Sequence, residues 1–343
     1  MKKMLITSED DFLACIASLF PNTHDSLALG RGDDCAEILC PPQMAVSTDL
    51  FVEDVHFRRA YFSPFEIGYK AMAVNISDMA AAGAKPLGVS IGLIAPVPFP
   101  REEAMGILEG IRKAAMDHGI ALSGGDLSRG DKLAFSVTIW GAPARPINAK
   151  NGTGPMFLRR GPVAPGNVLF LCGHIGLARA GLLLLEERGK AAKSAYPASC
   201  KAHLLPEPRI AAGLVLAGVP NCRLMDVSDG LARDLPRMLA AYGASCGAEI
   251  TLPETLLHPE TVAYARENGE DPARFAFAGG EDYALLGACS QEAWGEAART
   301  LRALPGDTPC EAIGAVTAAP GIVLNGIPLD DAGFDHFSQG SQK

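Results

Sequence analysis

The residues of this sequence whose types and spacing suit chemistry are carboxylates placed at turns. Asp33 and Asp34 follow Gly30-Arg31-Gly32, and Asp49 closes Ser47-Thr48-Asp49. Asp78 lies three residues after Asn75, and Asp126 follows Gly124-Gly125. Asp226 and Asp229 bracket Val227-Ser228 ahead of Gly230, and Glu281-Asp282 follow Gly279-Gly280. Taken singly, each fits a solvated turn or a helix cap; Ser228 suits an N-cap and Asp229 a first helical turn. As a set they abut apolar segments and small-residue turns, where an unpaired buried charge is costly. Hard divalent cations with oxygen ligands would compensate them, and Mg²⁺ is held by a few carboxylates together with substrate phosphates.

Other signatures of phosphate and hydrolytic chemistry are missing. The sequence has no G-x-x-x-x-G-K-[ST] loop and no G-x-G-x-x-G in a strand-to-helix context. It has no G-x-S-x-G elbow, no H-R-D and no H-E-x-x-H among its 7 histidines. The 9 cysteines include no C-x-x-C pair, which reads as scattered reduced thiols of a cytoplasmic protein and not as a disulfide frame or a zinc site.

The elements that must position these carboxylates follow from local pattern. Ala45 to Val52 reads as a strand carrying Asp49. Glu66 to Ala82 reads as a helix closed by Gly83, with Asn75 and Asp78 on one face. Arg101 to His118 has apolar residues at helical spacing and ends at Gly119, while Leu133 to Trp140 alternates as a half-buried strand. Gly141 to Gly166 is rich in Pro, Gly and Arg without a period and is taken as a loop and linker. Beyond it, Val168 to Cys172 reads as a strand, Leu177 to Arg188 and Ala198 to Ala217 as helices, and Leu224 to Val227 as a short buried strand leading to a helix from Leu231. The rhythm is not strict βαβ, so the expectation is two α+β domains, residues 1–145 and 146–343.

Length agrees, since 343 residues suggest about two domains. Hydrophobic residues are 48% and charged residues 20%, ordinary for a folded globular chain. A net charge of −9 argues against a nucleic-acid groove. The longest nearly apolar run, Leu87 to Phe99, is interrupted by Pro96 and Pro98 and is shorter than the roughly 18 to 20 residues that cross a bilayer, so no membrane partner is expected. Ser8-Glu9-Asp10-Asp11 follows Met1-Lys2-Lys3 too soon for a secretory signal.

Read in order, the motifs resemble the thiamine-monophosphate kinase family, within the aminoimidazole ribonucleotide synthetase superfamily. The matching segments are Gly32-Asp33-Asp34-Cys35-Ala36, Ser47-Thr48-Asp49 with Val55-His56-Phe57, and Lys70 through Ala81. Gly124-Gly125-Asp126, Pro206-Glu207-Pro208-Arg209, and Met225 through Leu231 follow. Gly279-Gly280-Glu281-Asp282-Tyr283 and Gly333-Phe334-Asp335-His336-Phe337 complete the set.

The resemblance implies a two-domain α+β fold whose N-terminal sheet domain forms a homodimer and whose C-terminal domain is α/β. It implies ATP-dependent, Mg²⁺-assisted phosphorylation of thiamine monophosphate by direct in-line transfer, with no catalytic side chain acting as a base. By resemblance the metal residues are Asp34, Ser47, Thr48, Asp49, Asp78, Asp126, Asp226 and Asp229. Gly125, Asp126, Ser228 and Arg159 meet ATP, with Arg160 the alternative to Arg159. His56, Glu281 and Phe334 hold thiamine monophosphate. Four departures stand out. Arg31 replaces a small apolar residue, and Asp54 replaces a common small residue two before His56. Phe334 lacks the polar group of the usual Tyr or Trp. Ala142 to Arg159 is longer than the usual connection, with one extra residue in Pro162-Val163-Ala164-Pro165-Gly166. The competing readings are an ATP-dependent amidine-forming ligase of the same superfamily and a non-catalytic nucleotide-binding paralogue.

Overall fold

Strand β1 (Ala45–Val52) follows helix α1 (Glu9–Leu19), which begins at the N-cap Ser8. Along β1 the side chains alternate. Val46 and Leu50 are 58% and 63% exposed, while Phe51 on the other face is buried. Helix α2 (Pro64–Ala81) is followed by strand β2 (Ala84–Ala95) and helix α3 (Arg101–His118). Strands β3 (Ala121–Arg129) and β4 (Ala134–Pro143) complete a four-stranded sheet in the order β1-β4-β2-β3. Only β2 and β3 run parallel, and α3 supplies the crossover that such a pair needs. Helix α3 ends on Gly119 at φ 64, a left-handed C-cap that glycine adopts without a Cβ penalty.

The structure, a computed structural model, describes residues 5–144, 157–306 and 308–329. Its chain divides into two compact units, Met1–Met79 with Ala84–Pro146, and Ala80–Gly83 with Ile147–Lys343.

The second unit is built on a seven-stranded sheet. Its helices of six residues or more are α4 (Leu177–Arg188), α5 (Pro197–Leu204), α6 (Ile210–Leu216), α7 (Leu231–Leu239), α8 (Pro259–Glu267), α9 (Pro272–Phe277) and α10 (Gln291–Arg302). Its strands are β5 (Val168–Cys172), β6 (Arg223–Asp226), β7 (Gly247–Ile250), β8 (Leu285–Cys289), β9 (Cys310–Thr317), β10 (Gly321–Leu324) and β11 (Ile327–Leu329). They lie in the order β6-β8-β5-β9-β7-β10-β11. All five residues of β5 are buried because both sheet faces are covered. Leu169 and Leu171 join a core with α7 and α9, whereas Val168, Phe170 and Cys172 join one with α6 and α10. A strand buried on both faces reads as a continuous apolar run, as it does here.

Two elements differ from the sequence reading. The expected helix over Ala198 to Ala217 is two helices, α5 and α6, separated at Leu205 to Arg209. Pro206 and Pro208 cause the break, since proline lacks an N–H and disfavours helical backbone in the residue before it. The Leu87–Phe99 run, read only as too short for a membrane span, lies mostly in β2, which is paired on both edges by β4 and β3.

In the first unit, aromatic packing anchors the segment that carries Asp49 and His56. Phe51 and Phe57 stack with centroids 4.8 Å apart, and Phe62 and Phe135 close around Phe57 at 6.1 and 6.4 Å. Phe57 is 1% exposed. Phe57→Ala is therefore expected to cost about 3–5 kcal/mol of unfolding free energy, read from chemical denaturation of the full chain.

Candidate active site

In the first unit β1 and α2 bring three of the expected metal residues onto one face. The Ser47 hydroxyl donates to Asp78 Oδ2 at 2.5 Å. One helical turn earlier, Asn75 Oδ1 accepts the Asp49 N–H at 3.2 Å, while its Nδ2 donates to Ala71 O at 3.0 Å. The amide of the buried Asn75 thus ties the strand backbone to the helix. Burial, and then the charge of Asp78, pushes the Asp49 carboxyl up to about 6. Strand alternation turns Thr48 to the opposite face, where its hydroxyl meets Thr138 Oγ1 at 2.8 Å. The structure does not bring the Thr48 side chain to this face, so only its backbone is placed to serve there.

The other expected metal residues of this unit, Asp34 and Asp126, are exposed, one on a loop and one on β3. Asp34 lies after Gly32 with its N–H donating to Asp33 Oδ1 at 2.8 Å. Arg31 fixes the base of that loop, because its guanidinium donates to Leu122 O and, at 2.9 Å, to Phe20 O. Asn22 clasps Arg31 from both sides, accepting its N–H at 2.6 Å and donating to its carbonyl at 2.7 Å. Asp126 is exposed on β3, opposite Gly92 of β2. A Cβ at Gly125 would fall 1.9 Å from Ile91 O, so the close approach of β3 to β2 beside Asp126 demands glycine. His56 is half-buried, and its Nδ1 accepts the Val52 N–H at 3.0 Å, which leaves any proton on a neutral ring at Nε2.

The second unit assembles its own polar group where β6 ends. Asp226 is buried at the last position of β6, and Ser228 and Asp229 follow in the turn before α7. Asp234 Oδ2 accepts the Asp229 N–H at 2.9 Å. Arg237 donates to Asp229 Oδ2 at 2.5 Å and to Asp234 Oδ1 at 2.9 Å. Burial pushes the Asp234 carboxyl up, against the pull of that N–H and of Arg237.

The Gly279-Gly280 loop presses on this turn. A Cβ at Gly230 would lie 2.8 Å from Gly279 O, and one at Gly280 would lie 2.7 Å from Ser228 O. The Glu281 N–H donates to Ser228 O at 2.7 Å, and its carboxylate lies 3.1 Å from His203 Nδ1. Asp282 accepts the N–H groups of Gly176 and Ala178 at 2.6 and 2.9 Å, yet desolvation pushes its carboxyl up to about 7. Arg159 and Arg160 are both exposed, and the Arg159 carbonyl accepts the Leu224 N–H at 2.9 Å, which sets Arg159 beside β6.

The structure thus gathers Ser47, Asp49 and Asp78 in one unit and Asp226, Ser228, Asp229 and Glu281 in the other. Phe334 lies outside the described residues. Among the described residues no group of three or more His, Cys, Asp or Glu side chains is placed to hold a metal ion. The Asp49–Asp78 pair still suits Mg²⁺, which keeps several waters and takes only one or two carboxylates beside substrate phosphates. Sequence reasoning did not single out His203, Asp234 or Arg237. Asp234 and Arg237 are three residues apart on α7, an opposite-charge spacing that could have marked them as a pair. Nothing local marked His203.

The chain matches the AIR synthase related protein N-terminal domain over residues 32–142 and the corresponding C-terminal domain over residues 164–326. It is 36% identical over 288 residues to the thiamine-monophosphate kinase of Bacillus subtilis, covering 81% of this chain and 83% of that one. A crystal structure of thiamine-monophosphate kinase from Stenotrophomonas maltophilia is 28% identical, with a TM-score of 0.75 over 96% of this chain and 100% of that chain. A structure of AaThiL complexed with AMPPCP and TMP is 27% identical, with a TM-score of 0.73 over 96% of this chain and 97% of that chain.

The raised Asp49 carboxyl makes stability depend on pH. Folded Asp49 holds its proton up to about pH 6, whereas the unfolded value is 3.8. Its contribution is therefore fully present below about pH 4 and is lost as pH rises through 6. Without divalent cations, Asp49→Asn should gain stability relative to the unsubstituted chain between about pH 4 and 7. Unfolding midpoints of both proteins across that range check this.

Proposed function

The chain belongs to the thiamine-monophosphate kinases of the AIR synthase related family, and from that premise we propose that it transfers the γ-phosphoryl group of ATP to thiamine monophosphate, giving thiamine diphosphate and ADP. The observation that carries the reading is the oxygen-only face of Ser47, Asp49 and Asp78, where burial and like charge raise a carboxyl to about 6. Such a face favours a hard cation. When bound, Mg²⁺ supplies positive charge to phosphates that together bring on the order of −6, the main obstacle to this transfer.

The chain's own residues bind and orient. Asp49 and Asp78, with Asp34, Ser47, Asp126, Asp226, Asp229 and the backbone of Thr48, hold the metal ions directly or through water. Gly125 and Ser228 give ATP close backbone approach, and Arg159 meets its phosphates. His56, Glu281 and Phe334 hold thiamine monophosphate. Glu281 faces the positively charged part of the substrate, and Phe334 offers an aromatic surface to it. The acceptor oxygen is already anionic at neutral pH, so no side chain must remove a proton. It bonds to the γ-phosphorus as the bond to the ADP oxygen breaks.

The same reading includes the domain boundary near residues 145 and 146, a homodimer through the first unit's sheet, and a cytoplasmic location. Support for the dimer comes from β1, an edge strand with Val46 and Leu50 largely exposed, since bare apolar edges favour strand or face pairing. Among the described residues no helix is long and apolar enough to cross a membrane.

The full chain incubated with ATP, Mg²⁺ and thiamine monophosphate should give equal amounts of thiamine diphosphate and ADP on chromatography. ADP and free phosphate with thiamine monophosphate unchanged would overturn the reading and favour the amidine-forming chemistry. Labelled ATP without the acceptor should leave no phosphorylated residue. Asp126→Asn should stay folded and lose most of its turnover at limiting Mg²⁺, with partial recovery as Mg²⁺ is raised; steady-state rates across a Mg²⁺ series measure this.

A further inference from the structure

Glu281 occupies an unusual backbone position. Its φ is 64, in the left-handed region that residues with a Cβ seldom adopt, and Tyr283 two residues on has φ 49. The segment is held there from both sides. The Glu281 N–H donates to Ser228 O at 2.7 Å and the Tyr283 N–H to Val227 O at 3.0 Å. Between them Asp282 takes two N–H groups at the start of α4. Backbone strain of this kind aims a side chain, but it leaves the rotamers of a long carboxylate free.

His203 removes that freedom. Its Nδ1 lies 3.1 Å from Glu281 Oε2, and the imidazole is 1% exposed whereas the carboxylate side chain is 28% exposed. The helix that carries the ring is itself held from two sides. The ring sits in the last turn of α5, just ahead of the break at Pro206. Glu260 on α8 anchors the start of α5 by accepting the Ala198 and Ser199 N–H groups at 3.2 and 2.7 Å. On the other side α4 comes so close that a Cβ at Gly181 would fall 2.0 Å from Ser199 O. An N–H donor on a fixed helix thus meets one oxygen of a carboxylate that remains partly open to ligand.

We propose that His203 is a positioning residue for substrate binding: through its Nδ1–H it fixes the Glu281 carboxylate in the orientation that receives the cationic part of thiamine monophosphate. This rests on the reading of Glu281 as a substrate contact. His203 acts before the substrate arrives, by ordering a side chain that binding would otherwise have to order. Its loss therefore falls on affinity for one substrate and not on the transfer step.

Four variants test this: His203→Leu, His203→Asn, Glu281→Ala and the double variant His203→Leu with Glu281→Ala. His203→Leu should raise KM for thiamine monophosphate about three- to tenfold, with kcat and the KM for ATP changed less than about twofold. His203→Asn, whose amide nitrogen falls near the place of Nδ1, should keep KM within about twofold of the parent. On the Glu281→Ala background, His203→Leu should add nothing, because the two residues act as one unit. Equal loss in all kinetic constants with a lower Tm, or a full additional factor on the Glu281→Ala background, would make His203 a core residue and overturn the proposal. If Glu281→Ala itself leaves the KM for thiamine monophosphate unchanged, the substrate contact is wrong and the proposal falls. The product assay then still reports separately whether thiamine diphosphate is made.

Discussion

Two carboxylates on neighbouring elements, Asp49 on β1 and Asp78 on α2, repel one another in a partly desolvated place, and the first unit is arranged to hold them there. Repulsion would relax if the strand and helix separated. The Asn75 amide prevents this by binding the Asp49 N–H, and the Ser47 hydroxyl holds Asp78 from the strand side. Phe51, two residues past Asp49 on the same face, locks the strand into the aromatic cluster with Phe57 and Phe135. Packing energy further along that same face thus maintains the electrostatic cost at Asp49. A cation placed there would replace the missing solvation and turn that cost into affinity.

The second unit meets a different constraint with backbone. Its two loops, 226–230 and 279–283, lie so close that Gly230 and Gly280 have no room for a Cβ. Close approach lets Ser228 O and Val227 O accept N–H groups from the opposite loop, which fixes Glu281 and Tyr283 at positive φ. Asp234 and Arg237 hold Asp229 from α7, so its carboxylate is oriented before any ligand binds. The pattern is common to both units: residues with the expected chemistry are aimed by neighbours, some of which, such as Asn75 and Arg237, are not among the expected site residues.

Much of this was legible in the sequence because it is local. Alternation in Ala45 to Val52 and the three-residue spacing of Asn75 and Asp78 place those side chains without knowledge of the rest of the chain. The same alternation separates Thr48 from Ser47 and Asp49, a distinction lost when the three are read as one block. Elements defined by distant partners were harder to see. Strand β2 is paired along both edges, and its apolar run lacks the signature of a half-buried strand. The break between α5 and α6 was legible in Pro206 and Pro208, but the apolar spacing on either side masks it. His203 is the one histidine of its short helix, and only the fold brings it to Glu281, 78 residues away in sequence. The ordered motif set, by contrast, spans both units and pointed to the family before any geometry was known.

The Asp49–Asp78 face is held in a charged, partly desolvated state that a divalent cation would relieve. Carboxyl ¹³C resonances of labelled aspartate, assigned with Asp49→Asn, report the titration of Asp49 directly. Without divalent cations Asp49 should titrate near pH 6. With Mg²⁺ and AMPPCP it should move well below the usual aspartate range, because a neighbouring cation favours the anion. An Asp49 that titrates near its ordinary value and does not respond to Mg²⁺ with AMPPCP would mean that this face is neither desolvated nor a cation site.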